Sequence, residues 1–272
     1  MANQRFELNR YVIEYSILHF GEDYYFAFPG FGRLFADFEP LIPLLKNKQG
    51  LIGVNLFFHG NSSIPKDSLK EGMPIEIFQT LWKAFLQHLK IQEYSLIGYS
   101  MGGKVSLTIL EFHAAHIKKV LLFAPDGLFI NPLYLFASGT KLGRTLFHFV
   151  NRHPSALFKT ADALKFVRIL PPKLHRFVYV HMDSQKKRNQ VYMAWMAYRW
   201  FRPNQGVLVK EIQAYQIGFN MLFGKYDSII RPSLGRKFAA KLENTATFHE
   251  LHIGHRMLHP NTLNYIKSQG LI

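Results

Sequence analysis

The sequence predicts an α/β fold, a mostly parallel sheet flanked by helices and interrupted once by an inserted helical segment. Three observations carry that prediction. Short apolar runs alternate with segments patterned at helical spacing, a glycine-framed corner (Gly98-Tyr99-Ser100-Met101-Gly102) joins one such run to one such helix, and the alternation stops near Leu128 and resumes after Arg202. Parallel strands need crossover connections, and helices are the usual solution, so this alternation is the signature of a sheet covered on both faces.

The elements follow in order. Tyr11 to Leu18, Gly21-Glu22-Asp23 and Tyr24 to Phe28 read as strand, turn and strand. Pro29-Gly30-Phe31-Gly32 ends the second strand, because proline lacks a donor for sheet pairing and glycine permits a tight turn. A helix is expected over Phe38 to Lys46, with Pro40 tolerated near its start. Leu51 to Phe58 is an almost wholly apolar strand, and Ile75 to Leu89 carries a broad apolar stripe at helical spacing. Tyr94 to Ile97 is the strand before the corner, Val105 to Phe112 lies in the helix after it, and Lys119 to Phe123 is a further buried strand closed by Ala124-Pro125-Asp126-Gly127. From Leu128 to Arg202 the segments are helix-like, broken by Pro154 and Pro171-Pro172, and include a dense aromatic block from Tyr192 to Phe201. The sheet pattern returns with Tyr215 to Phe223 as strand, Leu234 to Leu242 as helix, Thr245 to Leu251 as the last strand and a terminal helix over Leu258 to Ser268. Residues 1–127 and 203–272 are therefore expected to form the core, and 128–202 an inserted helical lid.

Composition narrows the classes. The 272 residues are 48% hydrophobic, with 25 Phe and 13 Tyr, enough for one large core with an apolar cavity. With no cysteine, disulfides, Cys-rich zinc sites and thiol nucleophiles are all excluded. No basic-then-apolar leader opens the chain, and no run approaches the roughly 18 apolar residues of a membrane-spanning helix, so a cytoplasmic protein is expected. The formal charge of +15 reads first as a solvated basic surface, and it also suits an anionic substrate or a transient visit to an anionic membrane surface. Nucleic acid is not an expected partner, since the basic stretches fall into no recognisable binding motif.

The corner carries the chemistry. In G-x-S-x-G a sharp strand-to-helix turn holds the serine on strained backbone and lifts its hydroxyl above the sheet edge, while glycines two before and two after let strand and helix close up. Here a strand precedes Gly98 and an apolar-patterned helix follows Gly102, the flanks the motif requires. On these residues the sequence resembles the α/β-hydrolase family, specifically its lid-bearing esterases, thioesterases and carbon–carbon bond hydrolases. The resemblance covers nearly the whole chain and is weakest across the lid. It implies an antiparallel strand pair at the start, the nucleophile after the fifth strand and the lid after the sixth. It also implies that Pro29-Gly30-Phe31-Gly32 is an oxyanion loop, with the amides of Phe31 and Met101 as donors. His59-Gly60-Asn61-Ser62 is similar to the family's Gly-His-Gly-x-Ser stretch but has Phe58 in the preceding position; His59 reads as a structural, hydrogen-bonded residue.

Serine needs a base, and thirteen histidines make residue type uninformative. His255 follows Gly254 in a turn after the last strand, where it can return to Ser100, and it matches the family's Gly-His pair. His252 is a rival, whereas His249 falls inside the last strand and His259 in the final helix. For the acid that orients the imidazole, Asp227 follows Gly224-Lys225-Tyr226 and gives the chain order Ser100, Asp227, His255 found in this fold. Asp126 after Pro125 competes, and spacing excludes neither; Asp183 lies in the insert with no positional argument.

In the aromatic block, Tyr192, Met196 and Trp200 share one helical face and Met193, Ala197 and Phe201 another. One face can pack on the core while the other roofs the substrate site, so Tyr192, Met196 and Trp200 are candidates both for core packing and for substrate contact. The expected activity is hydrolysis of a carboxylic ester or thioester, a small-molecule carbonyl substrate with an apolar acyl part, through an acyl-serine, with neither metal nor organic cofactor. Cleavage of a carbon–carbon bond beside a ketone uses the same residues, and a non-catalytic binding protein on a hydrolase fold is the third reading. A dehalogenase or epoxide hydrolase would need a carboxylate where Ser100 stands.

Overall fold

A computed structural model describes residues 3–170 and 172–272; Met1, Ala2 and Pro171 of the expected Pro171-Pro172 break lie outside the described residues. The chain divides into two compact units, one of Met1–Pro65, Pro74–Phe129 and Phe201–Ile272, the other of Lys66–Met73 and Ile130–Trp200.

The first unit begins with strands β1 (Gln4–Leu8), β2 (Tyr11–His19), β3 (Asp23–Phe28) and β4 (Gln49–Val54). Helix α1 (Ile75–Leu89), strand β5 (Tyr94–Tyr99), helix α2 (Met101–His113) and strand β6 (Ile117–Phe123) follow. The second unit then contributes α3 (Pro132–Gly139), α4 (Lys141–Arg152), α5 (Pro154–Phe166), α6 (Pro172–His181) and α7 (Gln185–Ala197). The first unit resumes with α8 (Gln205–Ala214), β7 (Gly218–Gly224), α9 (Pro232–Ala239), β8 (Ala246–Leu251) and α10 (Pro260–Gln269).

The eight strands form one sheet in the order β1-β2-β4-β3-β5-β6-β7-β8. β1 pairs antiparallel with β2, β2 antiparallel with β4, and every later pairing is parallel. This is the mostly parallel sheet, with antiparallel pairing at its start, expected from the sequence. β5 is buried along its whole length, which accounts for its unbroken apolar reading. α1 buries Phe78, Leu81, Trp82, Phe85 and Leu86, the stripe its spacing predicts, and stops where Lys90 turns left-handed at φ 58°. Between α1 and the sheet, Phe26 meets Trp82 edge-on at 5.0 Å and Tyr94 at 5.3 Å, while Trp82 Nε1–H donates to Tyr94 Oη at 2.9 Å. Each such ring pair adds about 0.5–1.5 kcal/mol beyond its burial.

Several expectations change. Gln4–Leu8, unread in the sequence, is an edge strand, and β2 and β3 do not pair with each other because β4 lies between them. The helix expected over Phe38 to Lys46 is a 3-10 stretch over Phe35–Leu44: Pro40 and Pro43 remove the amides that a longer α-helix would use. The strand expected to reach Phe58 ends at Val54, with Phe58 left-handed at φ 64°. In the second unit, all five elements between Ile130 and Trp200 are helices among the described residues. Asn131 caps α3 through Leu133 N–H, Thr140 caps α4 through Gly143 N–H and Ser184 caps α7 through Lys187 N–H. α7 ends at Ala197, so the face expected to join Tyr192, Met196 and Trp200 stops at Met196, and Trp200 sits beyond the helix.

Candidate active site

The corner after β5 is built from backbone ties. Ser100 has φ 51° and ψ −115°, a combination that costs an L-residue about 1–3 kcal/mol and persists only where its surroundings fix it. They do: Ser100 N–H donates to Phe123 C=O at 2.9 Å, and Ser100 C=O accepts from Gly103 N–H at 2.9 Å and Asp126 N–H at 2.8 Å. The flanking glycines are required by space. A Cβ on Gly98 would stand 2.6 Å from Ser106 Oγ and 2.7 Å from Gly103 Cα, and one on Gly102 would strike the Phe28 carbonyl.

Two loops bring side chains to this corner. Lys225 N–H donates to Leu251 C=O at 2.7 Å and Tyr226 N–H to Ile253 C=O at 3.0 Å, joining the loop after β7 to the loop after β8. From these loops Asp227 and His255 reach each other, with His255 Nδ1 2.6 Å from Asp227 Oδ2 and His255 Nε2 3.1 Å from Ser100 Oγ. The other Asp227 oxygen accepts from Ile229 N–H at 2.8 Å and Ile230 N–H at 3.0 Å. The Asp227 side chain is 0% exposed and that of His255 18%, so the acid is sealed in while the ring keeps an outer edge. A carboxylate facing Nδ1 makes that nitrogen the protonated one, which leaves Nε2 as the acceptor for the serine hydroxyl. The structure thus brings together Ser100, Asp227 and His255.

It places the rivals elsewhere. Asp126 Oδ2 lies 2.6 Å from Lys104 Nζ, whose side chain is buried, and Asp126 Oδ1 accepts from Gly127 N–H. His252 Nδ1 faces Tyr226 Oη at 3.4 Å, and His249 lies between Tyr265 Oη and Thr247 Oγ1. His259 stands at the N-terminus of α10, and Asp183 pairs with Lys187 at 2.8 Å. Among the residues expected to line a substrate site, Tyr192 packs its ring on Phe147 and His148, Met196 is buried, and Trp200 donates its indole N–H to Glu71 C=O.

The loop after β3 passes beside the nucleophile: a Cβ on Gly30 would begin 3.3 Å from that of Ser100. Its course is held at two amides. Gly32 N–H donates to His59 Nε2 at 2.8 Å, and Phe35 N–H to Asn55 Oδ1 at 2.8 Å. His59 Nδ1 faces Phe57 C=O at 3.1 Å, so the ring is a neutral donor–acceptor bridge, and burial lowers its pKa from the ordinary value. Asn55 Nδ2 in turn donates to Glu14 Oε2 at 2.7 Å, where Asn61 N–H also arrives at 2.7 Å. Burial alone would raise the Glu14 carboxyl; the hydrogen bonds from Asn61, Asn55 and Asn3 bring it below its usual value. Met101 opens α2, where an amide has no carbonyl within its own helix to serve.

Sequence reasoning missed three of these contributors. Glu14 leaves one signal, a carboxylate inside a mostly apolar strand. Asn55 likewise interrupts an apolar run. Tyr99, the variable residue before the serine, donates its hydroxyl to His255 C=O at 2.8 Å and lays its ring 5.5 Å from the imidazole; nothing in its local pattern announces that.

Comparison with known proteins adds the following. A family model described as alpha/beta hydrolase fold matches residues 27–262. An uncharacterized hydrolase of Bacillus subtilis (strain 168), YugF, is 32% identical over 94 residues, 34% of this chain; the match spans 32% of YugF, about a third of that relative's length. Among solved structures, a thermophilic esterase from Thermogutta terrifontis aligns with TM-score 0.66 at 16% identity, over 100% of this chain and 97% of its own. The enol-lactonase from Burkholderia xenovorans aligns with TM-score 0.62 at 21% identity, over 98% of each chain. A meta-cleavage product hydrolase from Pseudomonas fluorescens aligns with TM-score 0.61 at 13% identity, over 98% of this chain and 96% of its own. At these identities the structural likeness establishes the fold.

Proposed function

Since the chain belongs to the alpha/beta hydrolase fold family, we propose that it is a serine hydrolase that cleaves a carboxylic ester or thioester through an acyl-serine. The observation that carries this reading is the hydrogen-bonded series from Ser100 Oγ through the His255 ring to a fully buried Asp227.

The cycle starts from the hydrogen bonds that link Ser100, His255 and Asp227. His255 Nε2 takes the Ser100 proton as Oγ attacks the carbonyl carbon, and Asp227 stabilises the resulting imidazolium without accepting its proton. The Phe31 and Met101 amides receive the oxyanion, one from the loop beside Ser100 and one from the α2 terminus, whose partial positive charge has the right sign. His255 then protonates the leaving alcohol or thiol, and the same ring activates water to release the acid. An ester or thioester needs only a carbonyl and a leaving group, the minimum that these groups serve.

Treatment of the folded chain with a fluorophosphonate, followed by peptide mass spectrometry, tests the nucleophile. Modification of Ser100, abolished in Ser100→Ala, is the expected result. An unmodified serine in the folded wild type removes the proposal in favour of a binding role. Parallel rates on an ester, an acyl thioester and a diketone separate acyl transfer from carbon–carbon cleavage.

A further inference from the structure

The positive charge of the chain is unevenly shared. Residues 130–200 hold twelve Lys and Arg against only Asp162 and Asp183, a net +10 of the total +15. Both acids are engaged, Asp162 with His175 at 2.7 Å and Asp183 with Lys187 at 2.8 Å. Arg188 and Arg199 are buried, whereas Lys141, Arg152, Lys165 and Arg168 are exposed.

The same unit turns large apolar side chains outward. α4 has two apolar faces. Phe147 points inward, its ring 5.1 Å from Tyr192 and 5.4 Å from Trp195, while Leu142, Leu146 and Phe149, spaced as i, i+4 and i+7, form an outer stripe that is exposed. Where α5 ends, the five residues Lys165-Phe166-Val167-Arg168-Ile169 are all exposed, Phe166 at 89% and Ile169 at 70%. This tip is a closed turn. Val167 N–H donates to Ala163 C=O, Arg168 N–H to Lys165 C=O and Ile169 N–H to Leu164 C=O, all within 3.0 Å, with Arg168 left-handed at φ 60°. Its backbone donors are satisfied internally, so the tip can leave water without stranding amides.

Apolar side chains flanked by cations, on a unit whose charge is spread over many turns, fit a partner that is both apolar and extensively negative. An acidic pocket on a protein would match one cluster, not a diffuse +10. Among the described residues no helix is long and apolar enough to cross a membrane. We propose that residues 130–200 dock the protein on the surface of an anionic lipid bilayer, with Phe166 and Ile169 entering the headgroup region, the α4 stripe adding apolar contact and the surrounding Lys and Arg drawing the unit to negative charge.

Sedimentation of the full chain with vesicles tests this, comparing equimolar phosphatidylcholine and phosphatidylglycerol with phosphatidylcholine alone. Binding to the mixed vesicles, weakened by added salt, is expected. Phe166→Ser/Ile169→Ser and Lys165→Glu/Arg168→Glu should each lower the partition about tenfold or more, while hydrolysis of a short soluble ester stays unchanged and certifies the fold. Ser100→Ala should bind as the wild type does, so failure of the proposed chemistry and failure of docking are read separately. No binding, equal binding to the neutral vesicles, or unchanged partition in both double variants overturns the proposal. So does self-association that Phe166→Ser/Ile169→Ser abolishes, in a chain that ignores vesicles.

Discussion

Replacing Asp227 with Asn should silence the site through a single proton. In the wild type one carboxylate oxygen holds the amides of Ile229 and Ile230 while the other faces His255 Nδ1 at 2.6 Å. An asparagine has one oxygen and one NH2 to distribute. The two backbone amides can only donate, so they keep the oxygen and turn the NH2 toward the imidazole. Nδ1 must then accept, the ring proton moves to Nε2, and the nitrogen 3.1 Å from Ser100 Oγ no longer takes a proton. A serine protease with this change loses about 10⁴ in kcat, equivalent to about 5.4 kcal/mol of transition-state stabilisation. Asp126→Asn should stay within about fivefold of wild type and show instead as about 1–2 kcal/mol of lost stability, because its partner Lys104 is buried while Asp126 itself is a third exposed. The assay is kcat/KM on a chromogenic short-chain ester, with circular dichroism to confirm folding. Retention of more than about a tenth of the activity by Asp227→Asn, or a comparable loss in Asp126→Asn, refutes the assignment.

The remaining predictions concern the scaffold. Gly98→Ala should destabilise by about 1–3 kcal/mol and depress ester hydrolysis together, since the new methyl meets Gly103 Cα as well as Ser106; unchanged urea unfolding would contradict the crowding seen there. Glu14→Gln puts a donor among the donors of Asn55 and Asn61 and should cost about 1–3 kcal/mol, read as a lowered Tm, whereas wild-type stability would show that the cluster is idle. Acid should weaken the fold through His113. Burial, then His116 and Lys83, lower its pKa to about 4, and Tyr94 Oη lies 2.8 Å from its Nδ1. The unfolded chain takes up the proton below about pH 6.5 and the folded chain does not. This contribution is therefore complete above that pH and declines toward pH 4, by about 1–2 kcal/mol after allowance for partial exposure. Urea midpoints from pH 7.5 to 4.5 should fall less steeply in His113→Gln; identical slopes would dismiss His113 as a source.

The parts of the fold legible in the sequence are those written locally. β5 reads as a strand because both faces are buried, α1 as a helix because its stripe keeps period, and the corner as a corner because only glycine fits at Gly98 and Gly102. Asp227 and His255 are nameable because each follows the C-terminal end of a strand, the edge on which Ser100 also stands. What stays hidden depends on partners distant in the chain. β1 is an exposed edge strand with little alternation, and the insertion of β4 between β2 and β3 cannot be read from either neighbour. The supports of the loop after β3 join Gly32 to His59 and Phe35 to Asn55, contacts that no periodicity encodes. Grouping Trp200 with Tyr192 requires an unbroken helix, and the C-terminus of α7 at Ala197 separates them.

The bend at residue 100 is tied entirely through main-chain atoms, by one amide given and two received. The hydroxyl is a passenger on a framework assembled without it. On the proposed chemistry, Ser100→Ala should keep this bend while removing the attacking oxygen, so a substrate that binds beside it should be recoverable uncleaved from a cell extract and identifiable by its mass.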